Sequence, residues 1–204
     1  IFPKTFKHPG LNKIGQLLIP RMLGAGVYEL NIFVDTFCAS LAAIVGLGGI
    51  SAVYYANRLI QFPMGIVGVA FASAALPTFS SLVAAKDLQR LKETVLFAVE
   101  NILFVMFPCS IILMILSVPI VKVLFQRGEF TAYSTGITST ALLFYAVGLF
   151  GFGATKILVS VFYAFQDTRT PVKVGAACLL LNATLNFILM FPLKVGGIAF
   201  ASSI

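Results

Sequence analysis

The sequence predicts an all-α fold, a polytopic bundle of transmembrane helices, and three observations carry that reading. Hydrophobic residues make up 59% of the 204 positions, charged residues only 10%, and the mean hydropathy is +1.01, far from the balance of a soluble domain. The few charges divide the chain into apolar stretches at 36–57, 59–85, 101–121, 130–155 and 174–193, with another running to Ile204. Most reach the roughly 20 residues that a helix needs to cross a bilayer. The connections between them are short. Allowing for polar residues held inside a bundle, the pattern predicts five complete helices at about 14–45, 49–82, 93–124, 132–164 and 171–192, and the start of a sixth from about 196.

The first helix carries Glu29, Asn31 and Asp35, and the spacing of four puts Asn31 and Asp35 on one face. In the second helix Arg58 stands immediately before the uncharged run 59–85. A guanidinium near a helix centre costs about 2.5–3.5 kcal/mol on insertion scales, so Arg58 is expected to face a cavity or a partner and not lipid. The segment AKDLQRLKE, residues 85–93, is polar enough to form a short helix at the cytoplasmic surface ahead of the third span. Lys156 lies within the fourth helix, either buried or reaching toward the headgroups along its aliphatic stem. Asp167 and Arg169 form a polar turn that caps the helix beginning near Pro171. The fifth helix, in LLLNATLNFILMF, repeats the spacing of four with Asn182 and Asn186.

A carboxylate facing several amide oxygens is a hard-oxygen site suited to a small cation, whose identity spacing does not give. Asn side chains hydrogen-bonded between helices, worth about 1–2 kcal/mol in model studies, account for the same residues without an ion. Spacing alone leaves both open. Pro20, Pro63, Pro77, Pro108 and Pro119 fall in or near the apolar segments, with Gly65, Gly68, Gly148, Gly151 and Gly153 beside them. Kinked helices suit a protein that changes shape around a cavity, and Gly and Pro are also simply commoner in membrane helices.

A net charge of +7 raises nucleic acid as a partner, but the placement of the basic residues argues against it. Lys4, Lys7 and Lys13 precede the first helix, Lys86, Arg90 and Lys92 fill the second connection, and Arg169 and Lys173 follow the fourth helix. The remaining connections hold at most Lys122 with Arg127, or Lys194. The positive-inside rule therefore puts the N-terminal segment in the cytoplasm and the 45–49, 124–132 and 192–196 connections outside. Cys38, Cys109 and Cys178 sit singly in three apolar segments without metal-ligand spacing and read as buried packing residues. His8 is the only histidine, and no Ser/His/Asp, zinc, Walker or dinucleotide constellation accompanies it, so an enzyme is not expected. The chain opens at Ile1 without a signal-peptide pattern and stops within an apolar helix, which reads as a piece of a longer protein.

Three motifs in order, YYANRLIQFPMGIVGVAFASAALP at 54–77, LFQRGEFT at 124–131 and FYAFQDTRTPVK at 162–173, resemble those of the MurJ/MviN family. These are bacterial lipid II flippases of the multidrug/oligosaccharidyl-lipid/polysaccharide exporter superfamily. The resemblance covers essentially the whole chain. It implies a single transmembrane region over 1–204, spanning the seventh to eleventh of fourteen helices and part of the twelfth. That is most of the second lobe of a two-lobe transporter in the bacterial inner membrane, with the N-terminal lobe and last helices absent. The implied partners are lipid II and membrane lipids, with no nucleic acid. Arg58 matches a cavity arginine, whose planar fork suits the pyrophosphate of lipid II. Asp35, Asn182 and Asn186, with the Ile198 carbonyl and Ser202, match ligand positions for sodium in some members. Asn186 stands where one member has Asp, which lowers the negative charge of the site. A polysaccharide-lipid or multidrug exporter of the same superfamily is the nearest alternative, and a membrane-embedded enzyme or a structural helical scaffold are the others.

Overall fold

The computed structural model describes residues 9–204, with side chains described at Met22 and from Gly26 onward. Lys4, Lys7 and His8 lie outside the described residues, as does the Lys13 side chain. Every regular element among the described residues is helical, and long, almost uninterrupted apolar stretches leave the backbone no other way to satisfy its own hydrogen bonds in lipid.

Helix α1 (Pro9–Ser40) and the single turn α2 (Ala42–Val45) occupy the first expected span. A tight connection follows, with Gly46 at φ 98° and Gly48 at φ 80°, the left-handed region that side chains with a Cβ resist. The second span runs unbroken through Gly49–Ala84. It consists of α3 (Gly49–Pro63), a π-helical turn at Met64–Val69 and α4 (Ala70–Ala84). Pro63 withdraws a backbone donor, and the wider turn that follows carries the chain past the ring without ending the helix.

The third span corrects two expectations. The polar 85–93 segment is no separate surface helix, because α5 begins at Leu88 and runs to Ile115, capped by Asp87, which accepts from the Arg90 backbone N–H at 3.1 Å. The span is also interrupted at Leu116, after which α6 (Ser117–Phe125) resumes. The fourth span is α7 (Ala132–Val147) and α8 (Leu149–Ala164), bent by 47°. At the bend the Gly148 N–H turns to Tyr145 O, and the Phe144 carbonyl takes the Ser203 hydroxyl instead at 2.8 Å. α9 (Arg169–Leu193) and α10 (Val195–Ser203) complete the chain, linked by Lys194 at φ 52°.

The core lies where these helices meet. Cys38, Ala52, Ala56, Ile60, Ile102, Met106, Leu142, Leu149, Ile157 and Ile198 are buried there, while Phe62, Phe97, Phe104, Val123 and Leu180 point outward. An apolar exterior is what a bilayer solvates, so burial in this chain is decided by helix packing and not by polarity. Of the three cysteines, Cys38 is a buried packing residue; Cys109 is half-buried and Cys178 exposed, which corrects the expectation for those two. Lys156 is exposed on α8.

Candidate functional site

α1, α9 and α10 pack against one another, and at their meeting point the structure brings four polar side chains together. Asp35, Asn182 and Asn186 are buried and Ser202 is half-buried. Asn186 Nδ2 donates to Asp35 Oδ1 at 2.7 Å and to Asn182 Oδ1 at 3.0 Å. Ser202 Oγ donates to Asp35 Oδ2 at 2.7 Å and accepts from Asn182 Nδ2 at 3.1 Å. The Ile198 carbonyl lies 3.2 Å from the same hydroxyl. The spacing of four on α9 and again on α10 places each pair on one side, so two turns of helix supply four oxygen-bearing groups and α1 adds the Asp35 carboxylate.

This network is closed except at one atom. Asn186 Oδ1 is buried without a hydrogen-bond partner, and a buried unsatisfied acceptor costs about 1–3 kcal/mol. A carboxamide turned by 180° exchanges its oxygen and nitrogen, so Asn186 can offer Asp35 and Asn182 either a donor or a further oxygen. With the oxygen inward, Asp35, Asn182, Asn186, Ser202 and the Ile198 carbonyl form an all-oxygen set bearing one negative charge. Such a set is electrostatically unsatisfied until a cation enters, and hard oxygens with a single carboxylate fit a small monovalent ion. A small cavity of about 70 Å³ adjoins the cluster, lined by Asn31, Cys178, Leu181, Asn182, Ala201, Ser202 and Ile204. Asn31 thus shares the Asp35 side of α1. Glu29 is exposed and lies outside the cluster.

Arg58 belongs to a different face. It is exposed on α3, with Nη1 donating to Gln61 Oε1 at 3.1 Å, Nη2 donating to Tyr54 Oη at 3.2 Å, and its carbon centre 5.0 Å from the Tyr54 ring. Gln61 in turn donates to Asn57 Oδ1 at 2.5 Å. These partners, Tyr54, Asn57 and Gln61, were not singled out in the sequence, although intervals of three and four along α3 make them neighbours of Arg58 or of one another. Together they hold the guanidinium broadside with donors to spare. Among the described residues it makes no ion pair.

Tyr145 of α7, a helix that packs against both α3 and α10, is also buried, with a hydroxyl that has no hydrogen-bond partner. Nothing in its sequence context marks it. At the turn before α9, Asp167 accepts from the backbone N–H groups of Arg169 at 2.9 Å and Thr170 at 3.0 Å and from the Thr170 hydroxyl. The Thr170 side chain and backbone hold the Asp167 carboxyl below the usual carboxylate range.

Helices of spanning length, irregular at Pro63, Leu116 and Gly148, with polar groups gathered inside the bundle, define an α-helical integral membrane protein. The family model described as Lipid II flippase MurJ matches residues 2–204, and the chain belongs to that family. It is 36% identical over 198 residues to a probable lipid II flippase MurJ of Vibrio cholerae, covering 97% of this chain and 37% of that protein. It is 35% identical to the one from Buchnera aphidicola subsp. Schizaphis graminum, covering 100% and 39%. The chain therefore spans about two fifths of the length of these relatives. Among solved structures, lipid II flippase MurJ in an inward closed conformation aligns with a TM-score of 0.79 at 27% identity, over 100% of this chain and 42% of that one. A MOP superfamily transporter from Pyrococcus furiosus shares the fold, with a TM-score of 0.75 at 18% identity over 94% and 41%.

Proposed function

We propose that this chain is part of a lipid II flippase of the bacterial inner membrane, moving the lipid-linked peptidoglycan precursor outward by alternating access. The observation that carries the reading is Arg58, exposed in a helix of spanning length and held by Tyr54 and Gln61, in a chain of the lipid II flippase family. A planar guanidinium with free donors is costly in lipid and well matched to pyrophosphate oxygens. Arg58 binds and orients the headgroup in a cavity that closes on one side as it opens on the other, while the polyprenyl tail stays in the bilayer. The π-helical turn after Pro63 and the bend at Gly148 give the helices places to flex. The N-terminal segment faces the cytoplasm on the evidence of loop charges.

The Asp35 cluster is the proposed sodium site, with Asp35, Asn182, Asn186, Ser202 and the Ile198 carbonyl as ligands. A bound sodium ion would neutralise the Asp35 carboxylate and draw the oxygens of α1, α9 and α10 together. The membrane potential, worth about 2.3 kcal/mol per charge per 100 mV, is available to drive the return of the empty carrier.

The test is complementation of a strain depleted of its own flippase by the intact protein, with lipid II export measured directly. Growth and export restored by the wild-type protein support the reading. Failure of a correctly inserted protein to export lipid II, with export of another polyprenyl-linked sugar, moves the assignment to a polysaccharide-lipid exporter of the same superfamily.

A further inference from the structure

Asp35 and Asn186 are 7% and 0% exposed, so a cation that reaches them must pass through a break in the packing of α1, α9 and α10. The cavity of about 70 Å³ beside the cluster is such a break. Asn182 and Ser202 belong to both, since each hydrogen-bonds within the cluster and each lines the cavity. They stand as a doorway between the two.

The cavity wall also carries a polar group that the fold leaves unused. Asn31 lies one helical turn from Asp35, and its half-buried carboxamide makes no hydrogen bond to the described residues. An amide left over at a cavity wall is satisfied by water, and about 70 Å³ has room for about two molecules at roughly 30 Å³ each.

Direction follows from how the helices run. On the loop charges, α1 and α9 lead outward from the cytoplasm and α10 returns. Asn31 therefore precedes Asp35 on the cytoplasmic side, Cys178 precedes Asn182, Ile204 follows Ser202, and all three line the cavity. The cavity lies at the cytoplasmic end of the cluster.

We infer that this cavity is a hydrated vestibule through which the cation enters and leaves the Asp35 cluster from the cytoplasmic side, with Asn31 as its transient ligand outside the doorway of Asn182 and Ser202. A cation gives up its hydration shell only as other oxygens replace it. The Asn31 carbonyl oxygen and the cavity waters hold the ion first, Asn182 and Ser202 take it next, and the Asp35 carboxylate draws it inward. The inference rests on the reading of the Asp35 cluster as a cation site.

The experiment uses the intact transporter with Cys178, which is exposed, as its one reactive thiol. In sealed vesicles of either orientation, a membrane-impermeant trimethylammonium methanethiosulfonate is expected to label Cys178 from the cytoplasmic side alone. In detergent, benzyl methanethiosulfonate then plugs the cavity at the same thiol. Two properties are read: the rise in Tm in sodium chloride over choline chloride at equal ionic strength, which reports occupancy, and the excess linewidth of the sodium NMR signal, which reports exchange. The unmodified protein is expected to show both and Asp35→Ala neither. In the plugged protein the Tm rise remains, while the excess linewidth falls to that of Asp35→Ala. Asn31→Leu, which seals the cavity with an apolar side chain, is expected to match the plugged protein and covers the case in which the adduct unfolds it. An excess linewidth unchanged in the plugged and Asn31→Leu proteins, or Cys178 that is not labelled from the cytoplasmic side, overturns the vestibule and leaves the cation site standing. An unmodified protein whose Tm and linewidth are both indifferent to sodium overturns the cation site, and the vestibule falls with it.

Discussion

Asn186 Nδ2 donates to Asp35 Oδ1 at 2.7 Å, joining α9 to α1 across 151 positions of chain. The contact couples a buried carboxylate to an amide whose own oxygen is left over. A pair of helices held only by packing would not need this arrangement, since polar contacts between membrane helices average well under 1–2 kcal/mol each in natural proteins, about 0.6 kcal/mol.

Asp35→Ala separates an ion site from a hydrogen-bond cluster. The substitution leaves an Asn186 N–H without its acceptor, a loss of about 1–3 kcal/mol, and turns the Ser202 hydroxyl to the Ile198 carbonyl. It also removes the only carboxylate of the set. The expected result is a lower Tm that no longer responds to sodium, whereas the wild-type Tm rises with sodium by mass action. A variant that is destabilised but keeps the full sodium response would show that the ion binds elsewhere.

Gly197→Ala tests whether α10 must sit tightly on α9 for Ser202 to reach Asp35. A Cβ at Gly197 would run into the Leu189 carbonyl oxygen and lie 3.0 Å from Met190 N, both backbone atoms that cannot step aside. Overpacking of this kind costs about 1–3 kcal/mol. Thermal unfolding should show that loss together with a weakened sodium response. Gly151→Ala, where a Cβ meets nothing within 4 Å, is the matched control and should leave both unchanged.

How far the sequence could be read is clear from these same residues. Apolar run lengths locate the spans to within a few residues, because a bilayer imposes a length that charges and loops then reveal. The intervals Asn31 to Asp35 and Asn182 to Asn186 show which side chains share a helix face. They do not show that those two faces meet, since that depends on how α1, α9 and α10 pack; the pairing entered through family resemblance. The breaks at Leu116 and the π-turn after Pro63 were beyond reach for a related reason. A proline or a run of β-branched residues marks strain, but the neighbouring helix decides whether the strain becomes a kink, a wider turn or a gap. Tyr145 had no local signal at all, because its position between α3 and α10 exists only in the assembled bundle.

Acidification should act on the turn before α9. The folded-state pKa of Asp167 lies below its ordinary value of 3.8, because the Thr170 side chain and backbone N–H favour the charged form. A carboxyl depressed in this way stabilises the folded turn above its unfolded pKa, and that contribution is lost as pH falls through the lower folded value. Asp167→Asn is therefore expected to be less stable than wild type at neutral pH. The gap should close as pH drops below 3.8, which paired thermal melts at several pH values would reveal. A gap that is the same at every pH would mean that hydrogen bonding by the side chain, and not its charge, supports the turn.

Arg58 allows positive charge to be distinguished from phosphate recognition by a planar fork. Tyr54 and Gln61 each take one of its nitrogens, and the remaining donors face outward from α3. Lys keeps the charge but presents a single rotating ammonium, which cannot bond Tyr54 and Gln61 in the same plane while gripping two phosphate oxygens. Ala removes charge and fork together. In the intact protein Arg58→Ala is expected to abolish lipid II export, and Arg58→Lys to retain partial export at best. Both should insert normally, because removing a guanidinium from a membrane helix lowers its insertion cost. Complementation of a flippase-depleted strain, with the membrane level of each variant measured beside it, gives the answer. Full export by a correctly inserted Arg58→Ala protein would leave Arg58 as a structural residue of the α3 surface, held there by Tyr54 and Gln61 alone.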